Sequence, residues 1–194
     1  MKAIRAMLLV LAAATAVPLL AATEVAGVKF EDRMKAGAGE LVLNGAGLRV
    51  KVFFKVYAMG LYLSEKKPDA AQVLALKGPK RAHIVLLRDV SAQDFAEALM
   101  SGLKNNTGEA QFAQIRDRAE QFRAAMLEAK EVTEGTVVDL DYLPESGTRL
   151  TVRGQPMGKD IAGEDFYQAL LRIWLGARPA QDDLKDALLG KPAG

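Results

Sequence analysis

The stretch Glu40-Leu-Val-Leu-Asn-Gly-Ala-Gly-Leu-Arg-Val-Lys-Val-Phe-Phe-Lys-Val-Tyr-Ala-Met-Gly-Leu-Tyr-Leu63 decides the fold. Within it Val50, Val52, Phe54, Val56 and Ala58 alternate with Lys51, Phe53, Lys55 and Tyr57. A period of two in β-branched and aromatic residues predicts a sheet strand, with the even positions on the buried face. The residues at 40–44 predict a strand before it, Gly45-Ala-Gly47 reads as the tight turn between the two, and 61–63 continue the second strand past a bulge at Gly60.

Outward from this pair, the segment 70–76 has room for one or two helical turns, and Ala-His-Ile-Val-Leu-Leu at 82–87 is a further apolar strand. Ser91 reads as a helix N-cap with Asp94 three residues on, followed by Phe95, Ala98, Leu99 and Leu103 at helical spacing and an end near 105–108. Phe112, Ile115, Ala119, Phe122 and Met126 form the stripe of a second amphipathic helix. Residues 136–143 alternate again, Pro144-Glu-Ser-Gly147 signals a turn, and 148–152 pair back as a hairpin. Asp165 opens a last long helix through Phe166, Leu170, Ile173 and Trp174 to Gly176, with a short tail helix over 184–189. Strands followed by helices, with no strand-helix-strand rhythm, predict an α+β domain: a large antiparallel sheet covered on one face by helices.

The N-terminus is another kind of sequence. Lys2 and Arg5 precede an uncharged apolar run over 7–20, broken by Pro18 and ending in Ala21 and Ala22. At about 14 residues it falls short of the roughly 20 that span a bilayer, so residues 1–22 read as a secretory signal and 23–194 as one exported, periplasmic or secreted domain. Without Lys2 and Arg5, basic and acidic residues balance at 24 each. No basic cluster advertises nucleic acid. The absence of cysteine excludes disulfides, thiolate metal sites and Cys nucleophiles, so the fold must stand on its core.

Few residues offer chemistry. His83, the only histidine, lies in an apolar strand with neither a nucleophile elbow nor a second ligand at helical spacing, and reads as a structural or edge-strand histidine. Gly45-Ala-Gly47 joins strand to strand, where a dinucleotide fingerprint must open a helix. Asp139 and Asp141 share a strand face that reads as solvated, and Asp182-Asp183 as first-turn helix charge; no metal site is expected. Arg49 remains, on one face with Phe53, Tyr57 and Met59 by simple alternation. An Arg fork beside a Tyr hydroxyl clamps a carboxylate or phenolate with parallel donors; the competing reading puts Arg49, Lys51 and Lys55 on a wet sheet face.

The segments Leu43-Asn-Gly-Ala-Gly-Leu-Arg49 and Phe53-Phe-Lys-Val-Tyr-Ala-Met-Gly-Leu-Tyr-Leu63 resemble the signature of the chalcone isomerase-like family, and Asp165-Phe-Tyr-Gln-Ala-Leu-Leu-Arg-Ile-Trp-Leu-Gly176 resembles its last main helix. The resemblance spans about residues 25 to 190. It implies an open-faced β-sandwich with a ligand cleft between sheet and helices. In the plant enzymes a phenolate adds to an enone without any cofactor, assisted by an Arg, a strand Thr, a helix Tyr, an Asn and a last-helix hydroxyl. Arg49 matches the Arg. The other positions fall at Tyr57, Phe95, Ser101-Gly102 and about Ile173, and the interval from Arg49 to Tyr57 is shorter than in the enzymes. Losing one donor of such a set costs on the order of 10²–10³ in rate, so the resemblance points to a bacterial, exported, non-catalytic branch of the family.

That branch implies a fatty acid or similar apolar carboxylate, held by Arg49 and Tyr57 with Phe95, Leu99, Phe112, Ile115 and Trp174 as walls, and no cofactor. Two rivals stay open: an isomerase or intramolecular lyase using Arg49 and Tyr57, and an envelope structural or partner-binding protein without small ligand. An open cleft ending at Arg49 favours the first two, a layer packed shut the third.

Overall fold

The structure, a computed structural model, describes residues 22–191. The expected signal segment lies outside the described residues except for Ala22. The elements in chain order are β1 (Thr23–Val25), β2 (Val28–Phe30), β3 (Arg33–Ala36), β4 (Gly39–Lys51), β5 (Phe54–Leu63), α1 (Ala70–Ala75), β6 (Lys80–Leu86), β7 (Val90–Ser91), α2 (Ala92–Asn106), α3 (Glu109–Leu127), β8 (Glu131–Val132), β9 (Val137–Leu143), β10 (Gly147–Val152), β11 (Gln155–Ile161), α4 (Glu164–Leu175) and α5 (Asp182–Leu188). A seven-stranded antiparallel sheet in the order β11-β10-β9-β6-β5-β4-β3 carries α2, α3, α4 and α5 on one face. This is the α+β, open-faced layering expected of the sequence.

The main core lies between the layers. Met59, Leu61 and Leu63 of β5, Ile84 and Leu86 of β6 and Leu140 of β9 meet Phe166, Leu170 and Trp174 of α4 and Leu99 and Leu103 of α2. The other sheet face buries a smaller cluster, Leu41, Leu43, Ala58 and Tyr62, under Phe30 from the β1–β2 hairpin. Both faces of β5 are therefore covered, and its helix-facing residues are the odd ones from Tyr57 onward, not the even set that alternation selected.

A bulge in β4 and a reversal inside the alternating stretch set this facing. Gly45 and Gly47 do not turn; β4 runs straight through them, with Asn44 as an extra residue between the pairs Leu43↔Tyr62 and Gly45↔Leu61. The bulge moves the later odd residues of β4 to the helix face. The glycines are needed because α5 packs there: a Cβ on Gly45 would lie 2.1 Å from the Ala187 carbonyl oxygen, and one on Gly47 2.7 Å from the Ala187 Cβ. The chain reverses instead at Val52-Phe53, in the middle of what reads as one continuous strand, and Val52 takes φ +61° there. Gly60 holds no bulge; it pairs regularly with His83, and a Cβ on it would meet Phe30 at 2.6 Å.

Elsewhere the helices fall where their stripes put them. Ser91 caps α2 through its hydroxyl, which accepts from the Asp94 N–H at 3.0 Å. β11, whose Pro156 and Gly158 hide a strand, is the edge of the sheet, where a missing N–H costs least.

Candidate functional site

The bulge at Asn44 puts Arg49 on the helix face, and the two-residue reversal at 52–53 folds Tyr57 back opposite it, so that the two are cross-strand partners. Together they floor a cleft of about 920 Å³ between the β4–β5 hairpin, α2 along its length and the α4–α5 connection. The volume is at the upper end of small-ligand pockets.

Arg49 is half-buried, and one guanidinium nitrogen donates to its neighbour Val50 O at 2.6 Å and to Gln181 Oε1 at 3.3 Å. The same Gln181 oxygen accepts the Val50 N–H at 2.8 Å, so the residue preceding α5 ties that helix to the end of β4. Among the described residues no carboxylate forms an ion pair with Arg49. Tyr57 is buried, and its hydroxyl accepts the Trp174 indole N–H at 2.8 Å. Burial raises its pKa, opposed by the Trp174 hydrogen bond and the Arg49 charge. The phenol is thus neutral at physiological pH, and with its lone pair occupied by Trp174 its own proton is left to donate.

Phe95 and Leu99 of α2 with Ile173 of α4 supply apolar wall; Lys51, Arg88 and Arg178 and the acidic Asp89, Asp94 and Glu97 ring the opening. Ser101 and Asn105 also line the cleft, nearly two and nearly three turns along α2 from Phe95. Trp174 does not line it. It stands behind Tyr57, almost fully buried, and reaches the site only through that hydroxyl. Phe112 and Ile115 lie in the core away from the cleft, because α3 packs against the β10–β11 end of the sheet. Phe53 does not share the Arg49 face; it stands at the hairpin tip, 81% exposed. Gln181 had no signal in the sequence, since it meets Arg49 only through an antiparallel docking of segments 132 residues apart.

A profile of the chalcone isomerase-like family matches residues 22–190. The chain belongs to the chalcone isomerase-like family. A crystal structure of a fatty-acid binding protein from Arabidopsis thaliana is similar in fold, with TM-score 0.63 at 15% sequence identity over 84% of this chain and 92% of that one. No curated protein matches the chain. In this chalcone isomerase-like chain the positions singled out by resemblance, Arg49, Tyr57, Phe95, Ser101, Gly102 and Ile173, all border the one cleft. Two of them, Phe95 and Ile173, present hydrocarbon where the plant enzymes carry hydroxyls.

The remaining sequence candidates lie on the opposite face. The expectation that Asp139 and Asp141 are solvated is overturned: Asp141 is buried and takes two hydrogen bonds of 2.6 Å from Arg81, and Asp139 lies 2.6 Å from His83 Nδ1. Their partners sit directly across from them on β6, a register invisible in one strand alone. His83 belongs to a central strand, not an edge, with its ring edge-on to Phe30 and Tyr62. No group of three or more His, Asp or Glu side chains is placed to hold a metal among the described residues.

Proposed function

We propose that this chain is an exported binding protein that holds a fatty acid or similar apolar carboxylate in the cleft without converting it. The observation that carries the reading is Arg49: a half-buried guanidinium with no carboxylate partner among the described residues, beside a neutral phenol donor, in a roomy cleft with apolar wall from Phe95, Leu99 and Ile173. A cation in that setting lacks its counter-ion, and a ligand carboxylate supplies one with two or three charge-assisted hydrogen bonds. The acyl chain then gains roughly 0.8 kcal/mol for each CH₂ it removes from water against Phe95, Leu99 and Ile173. The fold-level likeness to a protein described as binding fatty acids points the same way.

The isomerase reading has less to work with. Phe95 and Ile173 donate nothing, so the protonated Tyr57 phenol and Arg49 stand in a set from which each missing donor costs on the order of 10²–10³ in rate. An envelope role without any ligand leaves the open cleft unexplained. Export rests on the leader-like residues 1–22, with 23–194 as the exported domain. No helix among the described residues is long and apolar enough to cross a membrane.

The test is native mass spectrometry of the protein purified from its host's periplasm, beside an Arg49→Ala variant. A co-purifying adduct of fatty-acid mass, lost in the variant, is the expected result, with added fatty acid bound at least tenfold more weakly by Arg49→Ala. No adduct and no uptake of added fatty acid would overturn the reading.

A further inference from the structure

The β4–β5 reversal is built against the usual rules. A two-residue hairpin loop favours Asn or Gly where φ is positive, yet Val52 stands there at φ +61°, a conformation that is strained for a β-branched side chain. Val52, Phe53 and Phe54 are 76%, 81% and 55% exposed, the only large apolar side chains so exposed among the described residues. Neither the core nor the turn has use for them. The Phe53 and Phe54 rings pack edge-on at 5.6 Å, and the Arg88 guanidinium lies 4.8 Å over Phe54. Lys51 and Lys55 flank the tip, and neither they nor Arg88 form an ion pair among the described residues. Of the carboxylates around the opening, Asp89 accepts the Glu134 backbone N–H, and Asp94 and Glu97 stand on α2 rather than on the hairpin.

We propose that this tip seats on an anionic lipid surface, with Val52, Phe53 and Phe54 in the headgroup-acyl boundary and Lys51, Lys55 and Arg88 on lipid phosphates. An apolar aromatic tip ringed by cations is the composition that partitions into such an interface, where hydrocarbon leaves water and each cation meets the negative surface potential. The rest of the chain carries no net positive charge that would hold it there once Lys2 and Arg5 are set aside, so the tip must supply the attraction locally. Lys51, Val52 and Phe54 also border the cleft, and exposure along the hairpin falls from 81% at Phe53 to 7% at Tyr57. Docking therefore brings the hairpin-tip side of the cleft to the bilayer, with Arg49 and Tyr57 farther along the hairpin from it. An apolar carboxylate would pass between membrane and cleft without crossing water; that use of the docking rests on the ligand reading above, while the docking itself does not.

The experiment is sedimentation of the periplasm-purified protein with vesicles of phosphatidylglycerol and phosphatidylcholine, against phosphatidylcholine alone, at two salt concentrations. Phe53 and Lys55 do not border the cleft, so Phe53→Ser and Lys55→Glu leave fatty-acid affinity in solution unchanged. Each is expected to lower partitioning onto the anionic vesicles on the order of tenfold, and raised salt to weaken the wild type further. Arg49→Ala should lose fatty acid but keep vesicle binding, which separates a failure of the ligand reading from a failure of this one. Equal partitioning of the wild type and both tip variants, or none at all, would overturn the proposal. Self-association of the wild type that Phe53→Ser abolishes, without vesicle binding, would overturn it in favour of a second copy of the chain.

Discussion

At the scale of single residues the site turns on one hydrogen bond behind it. Trp174 donates to the Tyr57 hydroxyl in a fully buried setting, so the two side chains hold each other in place and fix where the phenol points. Tyr57→Phe removes the acceptor and strands the indole N–H, a loss of about 1–3 kcal/mol in stability. Trp174→Phe deletes the donor and leaves the hydroxyl facing the cleft, where water can satisfy it, so its cost is mainly lost packing. The double variant should be more stable than the two single losses summed, because no buried donor remains unpaired. Chemical denaturation of the four proteins gives the coupling, and strict additivity would show that the bond contributes nothing. Fatty-acid titration divides them further: Tyr57→Phe is expected to weaken binding severalfold, Trp174→Phe less. That Arg49 and Tyr57 share a face is legible in the sequence, since the Gly-Ala-Gly-Leu-Arg pattern and the strand tyrosine mark the two positions. In the sequence Trp174 reads as a wall because a buried Trp on a helix stripe looks the same whether it lines the cleft or backs a residue that does.

At the scale of elements the unusual contact is α5 against β4, which lets Gln181 hold the end of the strand beside Arg49. It depends on two glycines that fail differently when given a side chain. A Cβ on Gly45 would meet backbone, the Ala187 carbonyl oxygen at 2.1 Å and Gly190 N at 2.9 Å, and nothing there yields without moving the helix. A Cβ on Gly47 would meet side-chain atoms, the Ala187 Cβ at 2.7 Å and Leu184 Cδ1 at 2.9 Å. Both Gly→Ala variants should lose about 1–3 kcal/mol from overpacking. Adding Ala187→Gly should restore a good part of the loss for Gly47→Ala and none for Gly45→Ala, as read by thermal melts of the five proteins. Equal rescue of both would mean that α5 does not sit as described. The same contact explains a misreading: Gly-Ala-Gly is ordinarily a turn signal, and only a helix docked from the far end of the chain makes it strand. Local pattern is reliable for α2 and α3, whose stripes reflect burial on one side, and for α4, whose denser apolar run reflects burial around most of the helix. It fails for β4 and β5 because both of their faces are covered and their register shifts at bulges, and it missed the β1–β2 hairpin and β11, which are too short or too interrupted to show a period.

At the scale of the whole molecule the four tyrosines report on the packing of both layers at once. Tyr57, Tyr142 and Tyr167 face the helix layer and Tyr62 the other side. Each has its pKa raised, first of all by burial: Tyr167 well above its ordinary value, Tyr62 further raised by Glu31 and Asp139, and Tyr57 despite the opposing pull of Trp174 and Arg49. A raised pKa means that the folded state holds these protons more tightly than the unfolded chain. Their contribution to stability is therefore complete below the unfolded value of about 10 and is lost as pH rises from there through the folded values. Two consequences are measurable in one alkaline titration followed by tyrosinate absorbance and by circular dichroism. The native protein should show almost no tyrosinate as pH passes about 10, and the absorbance should then appear in a single step together with loss of the fold, because ionising one phenol removes the layer packing that protects the rest. A smooth rise centred near 10 with the fold intact would show that the tyrosines are open to water. A partial early rise of one equivalent would single out the most accessible of them. Saturation with fatty acid should push the alkaline step to higher pH if the ligand carboxylate lies on Tyr57, since a ligand that needs the phenol proton stabilises only the protonated, folded state.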